Sequence, residues 1–211
     1  MTNAIKNVEW AGLQFAVGPN TFQPRASSLK LIDFVQGLPA WQQARRPRLL
    51  VDMCCGCGAL GIALFLSQLD AFKRLLLLDA SQDAVNSARI NLTRYNLPGQ
   101  SIRWFAGDPI DVQEEVFVVC NPPFMRFADV ESDTQNWEQA CLTSGNDGLE
   151  APSLCLQSCV GLDGAFIMKS RVDQLKPLAG GLHQLIQSTT NSDVAFSYWG
   201  LNQGHQNSEA T

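Results

Sequence analysis

The stretch Val116-Phe117-Val118-Val119-Cys120-Asn121-Pro122-Pro123-Phe124 decides how this chain is read. Four β-formers run into Cys120, and two prolines then stop the strand. Proline cannot donate to a ladder and restricts the residue before it. Asn121 is therefore left at the strand's carboxyl tip. In an open α/β sheet that edge is where ligands bind. The Asn121 side chain offers an acceptor oxygen and an NH2 donor, Pro122 keeps a free carbonyl, and Phe124 adds a flat apolar face. Two acceptors and a ring suit a planar NH2 group. The plainer reading of the same residues is a strand end and a proline turn.

Upstream, residues 48–53 read as a buried strand, followed by the loop Cys54-Cys55-Gly56-Cys57-Gly58-Ala59 and a helix over 60–69. A helix start presents free N–H groups, and small residues let a ligand approach it. A second strand, 75–78, ends in Asp79, placed to accept two ribose hydroxyls or to cap the next helix. That helix starts at Ser81, runs to about Leu97, and ends at the turn Pro98-Gly99. A third strand over 102–105 precedes Gly107-Asp108. Asp108 is either a turn residue or an acceptor for an adenine amino group.

Toward the amino terminus, 8–10 and 13–17 fit a small hairpin or edge strands. Ser27 or Ser28 caps a helix with Leu29, Ile32, Phe34 and Val35 on its apolar face, ended by Gly37 and Pro39. Downstream of Asn121, residues 127–142 are polar and irregular, either a lid or a solvated loop, with Asp129, Glu131 and Asp133 as an acidic cluster. Asn146-Asp147-Gly148 turns into a helix, Gly161 to Gly164 into a strand over 165–168. A helical region broken at Gly180-Gly181 reaches about Gln187. Residues 194–199 read as the last strand, and 200–211 as a polar, disordered tail.

Strands alternating with helices make an α/β fold: a doubly wound, Rossmann-like, mostly parallel sheet. A single domain over 1–200 is expected, with residues 1–40 covering the substrate and cofactor region. The 211 residues carry a net charge of −5, which argues against unaided binding of nucleic acid. Arg45, Arg46 and Arg48 form a basic patch or a solvated turn. Leu75 to Leu78 is too short to span a bilayer. The seven cysteines and the absence of a secretory signal at the start point to a reducing, cytoplasmic setting. Cys54, Cys55 and Cys57 are not expected to bind metal. Neither histidine, His183 or His205, lies near them, and a tight strand–helix turn needs small side chains anyway.

With these motifs the sequence resembles the class I S-adenosylmethionine-dependent methyltransferases. Asp52-Met53-Cys54-Cys55-Gly56-Cys57-Gly58 is similar to their first motif, Asp-x-Gly-x-Gly-x-Gly, and Asn121-Pro122-Pro123-Phe124 to the tetrad of the branch that methylates planar nitrogens. Within that branch the chain most resembles the release-factor protein-glutamine N5-methyltransferases. Phe22-Gln23-Pro24-Arg25-Ala26-Ser27-Ser28 is similar to their Phe-x-Pro-Arg-Pro-Glu-Thr, with Ser28 in the place of the threonine near the cofactor. Gly145-Asn146-Asp147-Gly148-Leu149 is similar to their Gly-x-Asp-Gly-Leu, and 137–142 loosely to a further segment. The sequence departs from the family at Cys54, which replaces the first motif glycine, at Ala26 and Ser27, and in having one terminal strand where the family has two.

The resemblance implies S-adenosyl-L-methionine as cofactor, held by Ser28, Asp52, Cys54, Gly56, Gly58, Asp79, Ala80, Asp108, Pro109 and Asn121. It implies catalysis by Asn121, Pro122 and Phe124, with Phe22, Arg25 and Pro123 against the substrate. The implied acceptor is a Gln or Asn side-chain amide of a protein or peptide, a release factor among them. A nucleobase exocyclic amine, a small-molecule amine, and a non-catalytic domain that keeps the fold are the competing readings. The short relatives work with a small zinc-binding protein, so a partner subunit is also implied.

Overall fold

The computed structural model describes residues 4–42, 48–131, 134–180 and 184–201. A two-stranded antiparallel ribbon, β1 (Lys6–Trp10) and β2 (Leu13–Val17), comes first. After α1 (Leu29–Gly37) and the short α2 (Pro39–Gln42) the chain enters the main sheet. The sheet elements are β3 (Arg48–Met53), β4 (Phe72–Asp79), β5 (Gly99–Arg103), β6 (Val116–Cys120), β7 (Gly164–Arg171), β8 (Gln184–Asn191) and β9 (Val194–Leu201). The helices between them are α3 (Ala59–Ser67), α4 (Gln82–Arg94), α5 (Asn136–Leu142), α6 (Glu150–Ser158) and α7 (Leu175–Ala179).

The strand order is β5-β4-β3-β6-β7-β9-β8. All neighbours pair in parallel except β9, which runs antiparallel to both β7 and β8. The chain leaves β3 outward through β4 and β5, then returns to β6 on the other side. That reversal opens a crevice at the carboxyl ends of β3 and β6. Their register pairs Met53 with Cys120, so Cys54 and Asn121 leave the sheet side by side.

Both faces of the sheet are covered, and period-two alternation sorts the side chains. Leu50, Leu75, Leu77, Phe117 and Val119 pack on one face with Leu31, Val35, Ile62 and Leu64. Leu49, Val51, Met53, Leu76, Leu78 and Val118 pack on the other with Cys155, Leu162 and Trp199. Asp52 shares the first face with Leu50 and is a charged intrusion into an apolar layer.

Several boundaries differ from the sequence reading. The β5 strand begins at Gly99, not Ile102, because Leu75 pairs with Gly99 and the Leu75 N–H is taken by the Pro98 carbonyl. Ser28 does not cap α1; it closes a 3₁₀ turn, Ala26–Ser28, and its side chain bonds elsewhere. Residues 184–187 are strand, not helix. Thr189, Thr190 and Ile186 favour extended backbone, and a tight turn at Ser192 (φ +55°) folds β8 onto β9 with Asn191 opposite Val194. Both terminal strands are thus present, and Gly200 and Leu201 belong to β9 rather than to a tail. The expected tail beyond 201 lies outside the described residues.

Arg48 is not surface patch. It is 5% exposed, donates to the Ala40 carbonyl at 3.0 Å, pairs with Glu115, and lies 5.0 Å from the Phe117 ring centroid. Arg45, Arg46, Asp133 and both histidines lie outside the described residues. Among the described residues no helix is long and apolar enough to cross a membrane.

Candidate active site

The turn from β3 into α3 is built by three contacts. Gly58 sits at φ +81°, where a Cβ would come within 2.7 Å of Leu77 Cδ1, so glycine is required both for conformation and for space. Asp52 Oδ2 accepts from the Gly61 N–H at 2.8 Å and anchors the start of α3. Burial pushes the Asp52 carboxyl up to about 8, with the Gly61 bond opposing. From the far side, Asn91 of α4 donates to the Cys57 carbonyl at 2.9 Å and exchanges two 2.8 Å bonds with the Ala16 backbone. One buried carboxamide thus ties the loop to β2. Nothing in the periodicity of α4 distinguishes Asn91 from its solvated polar neighbours, so the sequence reading passed over it.

Cys54, the residue at the first motif glycine, adopts φ +57°. A side chain there costs about 1–2 kcal/mol relative to the right-handed region. The backbone nonetheless holds the glycine-type conformation, so the loop keeps its shape with cysteine in place.

Asp79 ends β4 beside this loop. Its Oδ2 accepts from the Gly56 N–H at 2.8 Å and its Oδ1 from the Ser81 N–H at 2.9 Å. Burial first, and then Cys54, raise the Asp79 carboxyl to about 6, so it is ionised at neutral pH. Each oxygen retains a lone pair for another donor. The cap of α4 is Ser81, which accepts from the Ala84 N–H at 3.4 Å, so Asp79 is not used up by capping.

Asn121 follows β6. Its Nδ2 donates to Ser28 Oγ at 3.4 Å, while its Oδ1 is buried with no hydrogen-bond partner. An unsatisfied buried acceptor costs about 1–3 kcal/mol and calls for an explanation. The segment after it is pinned by Gln174, which is 2% exposed. Gln174 Nε2 donates to the Phe124 carbonyl at 2.9 Å and to the Asp147 carbonyl at 3.1 Å, and its Oε1 accepts from the Arg171 N–H. The Phe124 and Met125 N–H groups both donate to the Leu142 carbonyl at the end of α5. Residues 127–142 are thus not simply irregular: a 3₁₀ turn at Phe127–Asp129 and α5 lie within them.

One cavity of about 600 Å³ takes in these groups. Of the residues expected at the site, Phe22, Arg25, Ser28, Asp52, Cys54, Gly56, Asp79, Ala80, Asn121, Pro122, Pro123 and Phe124 line it. Gly58 lies behind the loop. Asp108 and Pro109 are exposed and outside the lining; Asp108 Oδ2 accepts from the Phe105 N–H at 3.3 Å in its own turn. The lining also includes Trp137 and Cys141 of α5, from the stretch 137–142 that loosely resembles a family segment, and Lys169 and Arg171 of β7, which the sequence did not single out. The strand was expected to stop at Met168. It runs to Arg171 instead.

The cations are already partnered. Lys169 is 5% exposed, donates to Ser27 Oγ at 3.2 Å and sits 5.5 Å from the Phe124 ring centroid. Burial, and then the nearby Arg25 charge, pull its ammonium down to about 8. Arg25 lies over the Phe22 ring and pairs with Glu138 of α5 at 3.3 Å. Arg171 pairs with Asp129 and Asp173.

Comparison with known proteins bears on the family and the fold. A family model described as the methyltransferase small domain matches residues 34–148. The release factor glutamine methyltransferase of Thermosynechococcus vestitus is 32% identical over 152 residues, covering 67% of this chain and 50% of that protein. That of Mycolicibacterium smegmatis is 30% identical, covering 71% and 52%. The chain therefore spans about half the length of these relatives. Among solved structures, a 16S rRNA N2 G1207 methyltransferase from T. thermophilus in complex with AdoMet and guanosine superposes with a TM-score of 0.62 at 15% identity, over 94% of this chain and 50% of that one. A ribosomal protein L11 methylase from Lactobacillus delbrueckii gives 0.59 at 14% identity, over 88% and 83%. Likeness at that identity speaks to the fold alone.

Proposed function

The chain belongs to the methyltransferase small domain family, and we propose that it transfers the methyl group of S-adenosyl-L-methionine to the side-chain amide nitrogen of a glutamine or asparagine in a protein or peptide. A release factor is the foremost candidate substrate. The observation that carries this reading is the partnerless Asn121 Oδ1 at the crevice between β3 and β6, where Pro122 and Phe124 also line the cavity. The names of the relatives at 32% and 30% identity support the choice of acceptor.

The residues present suit the cofactor. The cavity is large enough for it, the Asp79 carboxylate has free lone pairs for two hydroxyls, and the loop at Gly56 offers close approach. When bound, the cofactor supplies an activated methyl group on a sulfonium. Asp79 would hold its ribose end, and Asp52 would hold the loop against it by way of Gly61.

The chain's own work is then alignment and electrostatics. An amide nitrogen is a weak nucleophile because its lone pair is delocalised into the carbonyl. Asn121 Oδ1 and the Pro122 carbonyl accept the two N–H hydrogens, which turns the nitrogen's remaining face toward the methyl group. As positive charge grows on nitrogen during attack, both oxygens bind more tightly, and that difference lowers the barrier. With Nδ2 on Ser28 Oγ, the Asn121 oxygen is the end that meets the substrate. Phe124 and Phe22 wall the site and exclude water.

A nucleobase amine would fit the same grip, but it brings phosphates. Arg25, Arg171 and Lys169, the cations at hand, already have carboxylate or hydroxyl partners. All seven cysteines are free thiols, in keeping with a reducing, cytoplasmic setting.

The test is transfer of labelled methyl to proteins, peptides, nucleic acids and amines, with mass localisation of the label. Label on a Gln or Asn side-chain nitrogen supports the proposal. Label on a base or a small amine moves the acceptor to another class. Failure to bind the cofactor in calorimetry overturns the enzymatic reading.

A further inference from the structure

Three sulfurs meet beneath the β3–α3 loop. Cys54 follows β3, Cys120 ends β6, and Cys155 lies on α6. Their Sγ atoms all lie within 4.8 Å of one another, and those of Cys54 and Cys155 are 3.9 Å apart. Among the described residues this is the one group of three or more His, Cys, Asp or Glu side chains placed to share an ion. Cys55 and Cys57, adjacent in sequence, are not part of it; they pack into the core on the other face. The sequence reading weighed Cys54, Cys55 and Cys57 as a ligand set and rejected it. The fold selects a different trio, because parallel pairing of Met53 with Cys120 sets Cys54 beside the end of β6.

We propose that Cys54, Cys120 and Cys155 form a three-thiolate site for a thiophilic divalent cation of the zinc class. Zn–S bonds of about 2.3 Å place ligand sulfurs about 3.8–4.0 Å apart. The Cys54–Cys155 pair already has that separation. Even a pair at the 4.8 Å limit needs to close by less than about 1 Å. Binding converts three thiols to thiolates: one M²⁺ and three R–SH give M(SR)₃⁻ and three protons released to solvent. Cys120 and Cys155 are fully buried, while Cys54 lines the cavity, so an ion enters from the cavity side and the position there is open to water.

A second observation points the same way. Cys54 occupies φ +57°, where glycine is the unstrained residue. The turn itself therefore does not call for a side chain at this position. The side chain that is there delivers its sulfur to the cluster.

The test uses the whole chain, reduced and stripped of metal. It is titrated without oxygen against Cd²⁺, followed by thiolate-to-cadmium charge-transfer absorption, and against Zn²⁺ in competition with a chromogenic chelator. The expected result is one ion per chain and a melting temperature that rises once free Zn²⁺ exceeds Kd. Cys155→Ala and Cys120→Ala should each weaken binding by at least the 10- to 100-fold (about) typical of losing an outer-shell partner. Cys54→Gly, which relieves the positive φ and keeps the fold, should weaken it equally. Cys57→Ala, whose side chain packs in the core on the other face of the sheet, should not change it. Absence of a saturable one-to-one site, or unchanged affinity in Cys54→Gly, overturns the proposal.

Discussion

Asn121 Nδ2 donates to Ser28 Oγ at 3.4 Å, and the oxygen of the same carboxamide has no partner. In this orientation the carboxamide keeps its acceptor oxygen for the substrate, whereas a flipped carboxamide would offer an NH2 group, and the Ser28 contact holds the side chain in place. Ser28→Ala removes that contact. Methyl transfer at saturating cofactor should fall about tenfold, a cost typical of lost orientation. Full activity in Ser28→Ala would show that something else sets the amide.

Asp79 is expected to govern cofactor affinity. Asp79→Ala removes a charged acceptor worth about 1.5–3 kcal/mol, so the cofactor Kd should rise roughly 10- to 150-fold. Because burial raises the Asp79 carboxyl to about 6, acid should also weaken binding. Protonation below about pH 6 removes the charge, and affinity should decline by up to about tenfold per pH unit. Asp79→Asn should flatten that dependence. Calorimetry from pH 5 to 8 measures both.

Asp52 couples the site to stability. Its folded value, about 8, is above the unfolded 3.8, so the folded state holds a proton that the unfolded state has released between them. This contribution is complete below about pH 4 and is lost as pH rises through 8, at no more than about 1.4 kcal/mol per pH unit. Asp52→Asn keeps an acceptor for Gly61 without the titration. Denaturant unfolding at pH 5 and 8 should show a larger loss for the wild type than for Asp52→Asn. Equal losses would mean that Asp52 does not carry the linkage.

Gln174 positions the segment after Asn121 without itself lining the cavity. Gln174→Ala releases the Phe124 and Asp147 carbonyls at once. Turnover should fall about tenfold through misplacement, with the cofactor Kd unchanged. Replacement by Glu, which can still accept from the Arg171 N–H but cannot donate to the two carbonyls, should not restore it. A variant with wild-type turnover would remove Gln174 from the account.

The central strands and their tips were legible because they carry two signals at once. Val116 to Cys120 and Leu49 to Met53 are apolar runs that end abruptly at residues with chemistry, Asn121 and the Cys54–Gly58 loop. Periphery and tertiary bonds were not. In β8, Gln184 to Asn191 is an exposed edge strand with no apolar alternation to reveal it, and its pairing rests on the turn at Ser192. Lys169 and Arg171 look like a strand's solvated end until the fold buries one and pairs the other. Asp108 shares its type and its strand-end setting with Asp79, yet its own turn claims its side chain. Gln174 and Asn91 bond to backbone across 50 and 75 residues, and no local pattern encodes such partners. The cysteine cluster is likewise a product of strand register.

The most direct measurement is single-turnover methyl transfer by Asn121→Ala alongside its cofactor Kd. The Kd should stay within about twofold of wild type and the rate should be lower by about 10²- to 10³-fold, the usual cost of removing one oriented electrostatic partner. Transfer at close to the wild-type rate, or a rate loss matched by an equal loss of cofactor binding, would contradict the proposed role of Asn121.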